Sequence, residues 1–121
     1  MELINSYSCC GSSWISVLAS AVKEGVLTDA DVNYPQLGDY HSWYELSDEE
    51  GEKWLASLAI RLARLGFKLA ELPSPGCMQH PGDGDAWVLA HAGDTDKIDA
   101  LRVKFERMYM SNQQWHDALY K

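Results

Sequence analysis

Basic residues are scarce in this sequence. Its 121 residues hold ten Lys and Arg against 18 Asp and Glu, a formal net charge of −8. That balance works against non-specific binding to nucleic acid, which sets cations against phosphates. It allows the reverse, attraction to a basic partner. Cysteine is scarce too, at three. An odd count, with Cys9 and Cys10 adjacent, makes a poor disulfide framework and suits reduced thiols in a cytoplasm. No stretch approaches the roughly 20 uncharged apolar residues that span a bilayer. The longest uncharged run, Leu3 to Val22, is interrupted by serines, two cysteines, an Asn and a Gly. It lacks the basic start and small-residue cleavage pattern of a signal peptide. A membrane role and direct nucleic-acid binding are therefore set aside.

What is present is ordinary for a globular protein. The apolar share is 46% and the charged share 23%, so a core can form without staples. The length suits a single domain covering residues 1–121. A short strand is expected within Glu2 to Tyr7. Trp14 to Glu24 reads as a helix, capped by Ser12 or Ser13 and stopped by Gly25. It carries no charge before Lys23, which suggests burial almost all round. Val26 to Leu46 looks irregular, with Thr28 and Asp31 placed to start one helical turn.

The next helix has the clearest signals. Ser47 and Glu50 make a capping box, and Trp54, Leu58, Leu62 and Leu65 recur at helical spacing up to Gly66. Phe67 to Leu72 alternates as a strand. Pro73 to Asp85 reads as a loop, and Ala86 to Ala92 as a buried strand. A third helix starts at Asp94 or Thr95, with Ile98, Leu101, Phe105 and Met108 as its stripe. Ser111 reads as the start of a last short helix through Trp115, Leu119 and Tyr120. Trp54 and Trp115, both on stripes, read as core. The order predicts an α+β fold: a small antiparallel sheet of two or three strands packed against two or three main helices.

Charge is distributed unevenly. From Glu24 to Glu52 there are nine carboxylates and no Lys or Arg. The rest of the chain is nearly neutral, with nine acids and ten bases. Asp48, Glu49 and Glu50 fit a helix start, but six acids have no such local use. Tyr34, Tyr40, Trp43 and Tyr44 lie among them, and Tyr and Trp are enriched at interface hot spots. The expected function is a non-enzymatic inhibitor or adaptor with no cofactor. Asp29, Asp31, Asp39 and Glu45 would supply charge, and Tyr40, Trp43 and Tyr44 buried contact. The partner would present a basic protein surface, such as the cleft of a nucleic-acid-processing enzyme, and the carboxylates would mimic phosphates. In size and charge the chain resembles small acidic anti-restriction and anti-CRISPR proteins.

A second pattern points to catalysis. Cys10-Gly11-Ser12-Ser13-Trp14 resembles the papain-like signature C-G-[SA]-C-[WY] in four of five positions. The resemblance implies a nucleophile at the start of a buried helix, where the helix N-terminus makes a thiol more nucleophilic. The family's nucleophilic position holds Ser13 here, so the alternative is a small thiol or serine hydrolase using Cys10 or Ser13, with His91 as base. The plainer reading of His91 is a core histidine among Leu89, Ala90 and Ala92. Cys77 and His80 have the spacing of a zinc half-site, but no second Cys/His pair of suitable spacing accompanies them. No metal is expected.

Overall fold

The computed structural model describes residues 3–7, 14–28, 31 and 48–120. Along the chain they form β1 (Ile4–Tyr7), α1 (Trp14–Lys23), α2 (Asp48–Arg64), β2 (Phe67–Leu72), β3 (Ala86–His91) and α3 (Thr95–Tyr120). The strands make one antiparallel sheet in the order β1-β3-β2. The α+β expectation holds, with three strands and three helices among the described residues.

The sheet has a core on each face. Leu89 points to one side and joins Ile4, the α1 residues Trp14, Val17, Leu18 and Ala21, and Leu58 and Leu62 of α2. Ala86, Val88 and Ala90 point to the other side and meet Ile98, Leu101 and Phe105 of α3. Successive strand residues face opposite ways, so a central strand covered on both faces must be apolar at nearly every position. That is why β3 reads AWVLA rather than an alternation. The same period divides β2, where Phe67 and Leu69 pack toward α1 and α2 and Leu72 toward α3.

Three helical expectations need correction. The lack of charge in α1 suggested burial all round, yet Ser20 is exposed and Ser16 and Ala19 are only half-buried. Small polar and alanine side chains tolerate water, so absence of charge alone does not mark a buried face. The α2 stripe ends at Leu62, because Leu65 in the last turn is exposed. There Gly66, with a φ of +86°, donates its N–H to the Ala63 carbonyl at 3.0 Å and reverses the chain into β2. Its own carbonyl accepts the Ala92 N–H at 2.9 Å, extending the sheet beyond the Phe67–His91 pair. Finally, Ser111 does not restart a helix. Residues Thr95–Tyr120 form one helix of 26 residues, about 39 Å long at 1.5 Å per residue. The strands it packs on have six residues at most, about 20 Å. Its buried residues Ile98, Leu101 and Phe105 all lie in the first half, and the second half outruns the sheet.

Candidate interaction surfaces

Of the acidic and aromatic residues expected to meet a partner, Asp31 alone is described. Asp29, Asp39, Tyr40, Trp43, Tyr44 and Glu45 lie outside the described residues. Asp31 serves a local turn. Its Oδ2 accepts the Thr28 N–H at 2.9 Å, and its own N–H donates to Thr28 Oγ1 at 3.1 Å. This is the reciprocal cap that the Thr28–Asp31 spacing predicts. At the far end of the acidic stretch, Glu49 and Glu52 are exposed. Glu49 pairs with Lys53 at 3.2 Å on the open surface, where such a pair contributes little.

For the hydrolase alternative, Cys10 and Ser13 also lie outside the described residues. His91 is not the core histidine its apolar neighbours suggested. It is the last residue of β3, its side chain is exposed, and its ring stacks on Phe67 across the strand pair at 5.2 Å. The apolar neighbours mark the buried strand, while the terminal position carries His91 out of the core.

The Pro73–Asp85 loop is built more tightly than its composition suggests. Cys77 and His80 exchange backbone hydrogen bonds, each N–H donating to the other's carbonyl at 3.2 Å. Ser74 Oγ accepts the Gly76 N–H and donates to the Asp83 carbonyl. The loop is fastened to α3 by two side chains one turn apart. Asn112 Nδ2 donates to the Pro75 carbonyl at 2.9 Å, and His116 Nδ1 donates to the Met78 carbonyl at 3.1 Å. Sequence reading missed this pair. The available signal was a polar residue at position 112, where the stripe through Met108 and Trp115 calls for an apolar one. Among the described residues no group of three or more His, Cys, Asp or Glu side chains is arranged to hold a metal ion.

Beside the loop, Glu71 of β2 lies near Asp85. Partial burial, and then the charge of Asp85, push the Glu71 carboxyl above its usual range. The folded state therefore holds this proton more firmly than the unfolded chain does. The associated stability is complete below the ordinary glutamate range near pH ~4 and is lost as pH rises through the folded value. Glu71→Gln is expected to raise Tm slightly at pH 7 and to leave it unchanged near pH 4. Because Glu71 is largely exposed, the gain is small. Thermal melts at both pH values test this, and an equal gain at both would refute it.

Helix α3 presents two further surfaces. Lys104 and Arg107, with Val103 and Met108, line an open groove of about 430 Å³ along it. Lys97, in the first turn of the same helix, pairs with Asp94 at 3.6 Å. Beyond the loop contact, Trp115 is 59% exposed, Leu119 59% and Tyr120 63%. The expectation that Trp115 is core fails for a simple reason: its stripe position is right, but the sheet has already ended. Among the described residues no helix is long and apolar enough to cross a membrane. No protein-family model, curated protein or solved structure matches the chain.

Proposed function

We propose that this chain is a non-enzymatic binding protein, an inhibitor or adaptor acting in the cytoplasm on a basic protein partner. The observation that carries the reading is charge segregation: nine carboxylates and no Lys or Arg between residues 24 and 52. A field of one sign accelerates encounter with a surface of the other. The acidic stretch is bracketed by elements fixed in the core, Ala21 of α1 on one side and Leu58 and Leu62 of α2 on the other. Asp29, Asp31, Asp39 and Glu45 would meet basic side chains, while Tyr40, Trp43 and Tyr44 would supply the desolvated contact that dominates interface energies. Clefts that normally hold nucleic acid are the protein surfaces richest in such cations, so the favoured partner is a nucleic-acid-processing enzyme, with carboxylates standing in for phosphates. The hydrolase alternative gains no support from His91, whose ring is stacked on Phe67.

The test is affinity capture with the wild type beside an Asp39→Lys/Glu45→Lys variant. A defined basic protein is expected on the wild type at roughly 50 mM salt, where charges reach about 14 Å, and much less of it at roughly 500 mM, where they reach about 4 Å. A short DNA duplex should displace it, and the variant should not retain it. Equal capture by both proteins, or indifference to salt and DNA, would discard the acidic-face reading. It would redirect attention to Cys10, Ser13 and His91.

A further inference from the structure

We propose that the groove along α3 takes an extended acidic segment of a partner protein, with two carboxylates of that segment set on Lys104 and Arg107. Neither cation has a local use among the described residues. Lys23, Arg61 and Arg64 stand in last helical turns, where the helix dipole favours positive charge. Lys53, Lys97 and Arg102 pair with Glu49, Asp94 and Asp99. Lys104 and Arg107 lie in the interior of α3 and form no ion pair among the described residues. The residues three and four positions from Lys104, Arg107 aside, are Ala100, Leu101 and Met108. Those around Arg107 are Val103, Met110 and Ser111, so no acid stands within helical reach of either. The two cations are one turn apart, a like-charge arrangement that costs a helix stability and that a bound anion relieves.

The shape of the groove excludes a helix as its occupant. It runs from Ala100 to Asn112, about 18 Å at the helical rise. A volume of about 430 Å³ over that length leaves a width of roughly 5–6 Å. A helix with its side chains needs about 10–12 Å, whereas extended chains lie about 5 Å from their neighbours. About five or six extended residues span the groove. Alternate side chains of such a segment share a face and lie about 6.6 Å apart. Two acids at alternate positions therefore match Lys104 and Arg107, whose Cβ atoms are about 5–6 Å apart on the helix surface.

The placement of the cations selects the ligand class. They sit midway, with Ala100 and Val103 toward one end and Met108 and Ser111 toward the other. A fatty acid carries its charge at one end. Free phosphate would leave Val103 and Met108 uncovered. A nucleic acid brings a charge at every residue against a protein of net charge −8. An internal protein segment with two acids between apolar side chains satisfies both the cations and the walls, and the Ser111 hydroxyl is placed to hydrogen-bond its main chain. The groove takes charge opposite to that sought by the acidic stretch, so this proposal and the proposed function fail separately.

Fluorescence anisotropy tests the groove with the peptide Leu-Ser-Asp-Ser-Asp-Ser-Leu carrying a neutral fluorophore. Protein is titrated to about 1 mM, the range that small, transient contacts require. Saturable binding is expected, and the peptide with both Asp replaced by Asn should not bind. Lys104→Ala/Arg107→Ala should weaken binding at least ~10-fold, as loss of two charge-assisted hydrogen bonds does. Its circular dichroism spectrum should be unchanged, because both side chains are exposed. Lys97→Ala/Arg102→Ala makes the same change in net charge outside the groove and should bind within about 2-fold of the wild type, since those bases serve surface pairs. Asp39→Lys/Glu45→Lys should bind no less tightly. Absence of binding, or equal losses in the two alanine variants, overturns the proposal. Displacement by dodecanoate or oligothymidylate at lower concentration than by unlabelled peptide also overturns it, and assigns the groove to a lipid or a nucleic acid. So does a mass that doubles with concentration in the wild type but not in Lys104→Ala/Arg107→Ala, which would give the groove to a second copy.

Discussion

Phe105→Ala is expected to lower the unfolding free energy by about 3–5 kcal/mol, the largest single-residue loss from the core. Phe105 is 1% exposed and fills the space between α3 and the sheet, with its ring edge-on to Tyr7 at 5.0 Å. Truncation removes the transfer free energy of the ring and leaves a cavity that Ala86, Val88 and Ala90 on the facing strand are too small to fill. The Tyr7 ring loses its partner as well. For a chain of this length the loss corresponds to a fall in Tm of roughly 10–20 °C. Trp115→Ala provides the control. It deletes a larger aromatic from the same helix and seam, yet at low micromolar concentration it should change stability by no more than about 0.5 kcal/mol, as exposed positions do. Chemical denaturation of both variants tests this. Comparable losses would mean that Trp115 is packed against something, and that the sheet does not mark the end of the core.

That contrast shows what the residues of α3 could and could not disclose. Periodicity identified the face of the helix from Ile98 to Met108, but assigned Trp115 and Leu119 to a separate last helix, where the structure continues the same one. It could not indicate how far along that face a partner layer extends, because the extent depends on the length of strands elsewhere in the chain. Six-residue strands cover half of a 26-residue helix. Trp115 was therefore assigned to the core on sound local grounds and lies outside it. His91 fails in the same way, in an apolar strand but at its exposed end. The sheet was more legible. The continuous apolar run of β3 marked a strand buried on both faces, and the capped, Gly-terminated pattern marked α2. Strand order was not legible, since it rests on the pairing of β3 with both β1 and β2, strands far apart in the chain, rather than on any short segment.

The candidate site was legible through composition alone. Charge counting finds the acidic stretch without geometry, because a field depends on how many like charges lie together. Asp31 shows the limit of counting. The count put Asp31 among six acids left over by the helix start at Asp48, although its spacing from Thr28 already predicted the cap that the structure shows. Its charge persists when it accepts a hydrogen bond, so it still adds to the field, but its orientation is set by the turn. Asn112 and His116 show the converse. Neither belongs to a motif, and both became visible only with the loop carbonyls to which they donate in place.

Gly76→Ala is expected to cost roughly 2–4 kcal/mol, although it adds one methyl group to a loop. Gly76 has a φ of +63°, a conformation that costs an L-residue about 1 kcal/mol or more. Space adds the larger part. A Cβ at this position would lie 2.2 Å from the His80 carbonyl oxygen, 2.5 Å from the Gly82 nitrogen and 2.9 Å from the Asp83 nitrogen. All three are backbone atoms, so no side-chain rotation relieves the overlap. The backbone is held as well: Gly76 bridges Pro81, the Gly82 N–H donates to the Pro75 carbonyl, and Asn112 draws the Pro75 carbonyl onto α3. Gly66→Ala separates the two causes. Gly66 has a φ of +86° with nothing within 4 Å of its added Cβ, so it should lose only the conformational part, about 1 kcal/mol. The excess at Gly76 has two possible outlets, global unfolding or release of the loop from α3, and the cheaper one sets the measured loss. Hydrogen exchange distinguishes them, because release deprotects the Cys77 and Gly82 amides while the β3 amides stay slow. Equal losses at Gly66 and Gly76 would show that the loop shifts freely and that Asn112 and His116 do not fasten it.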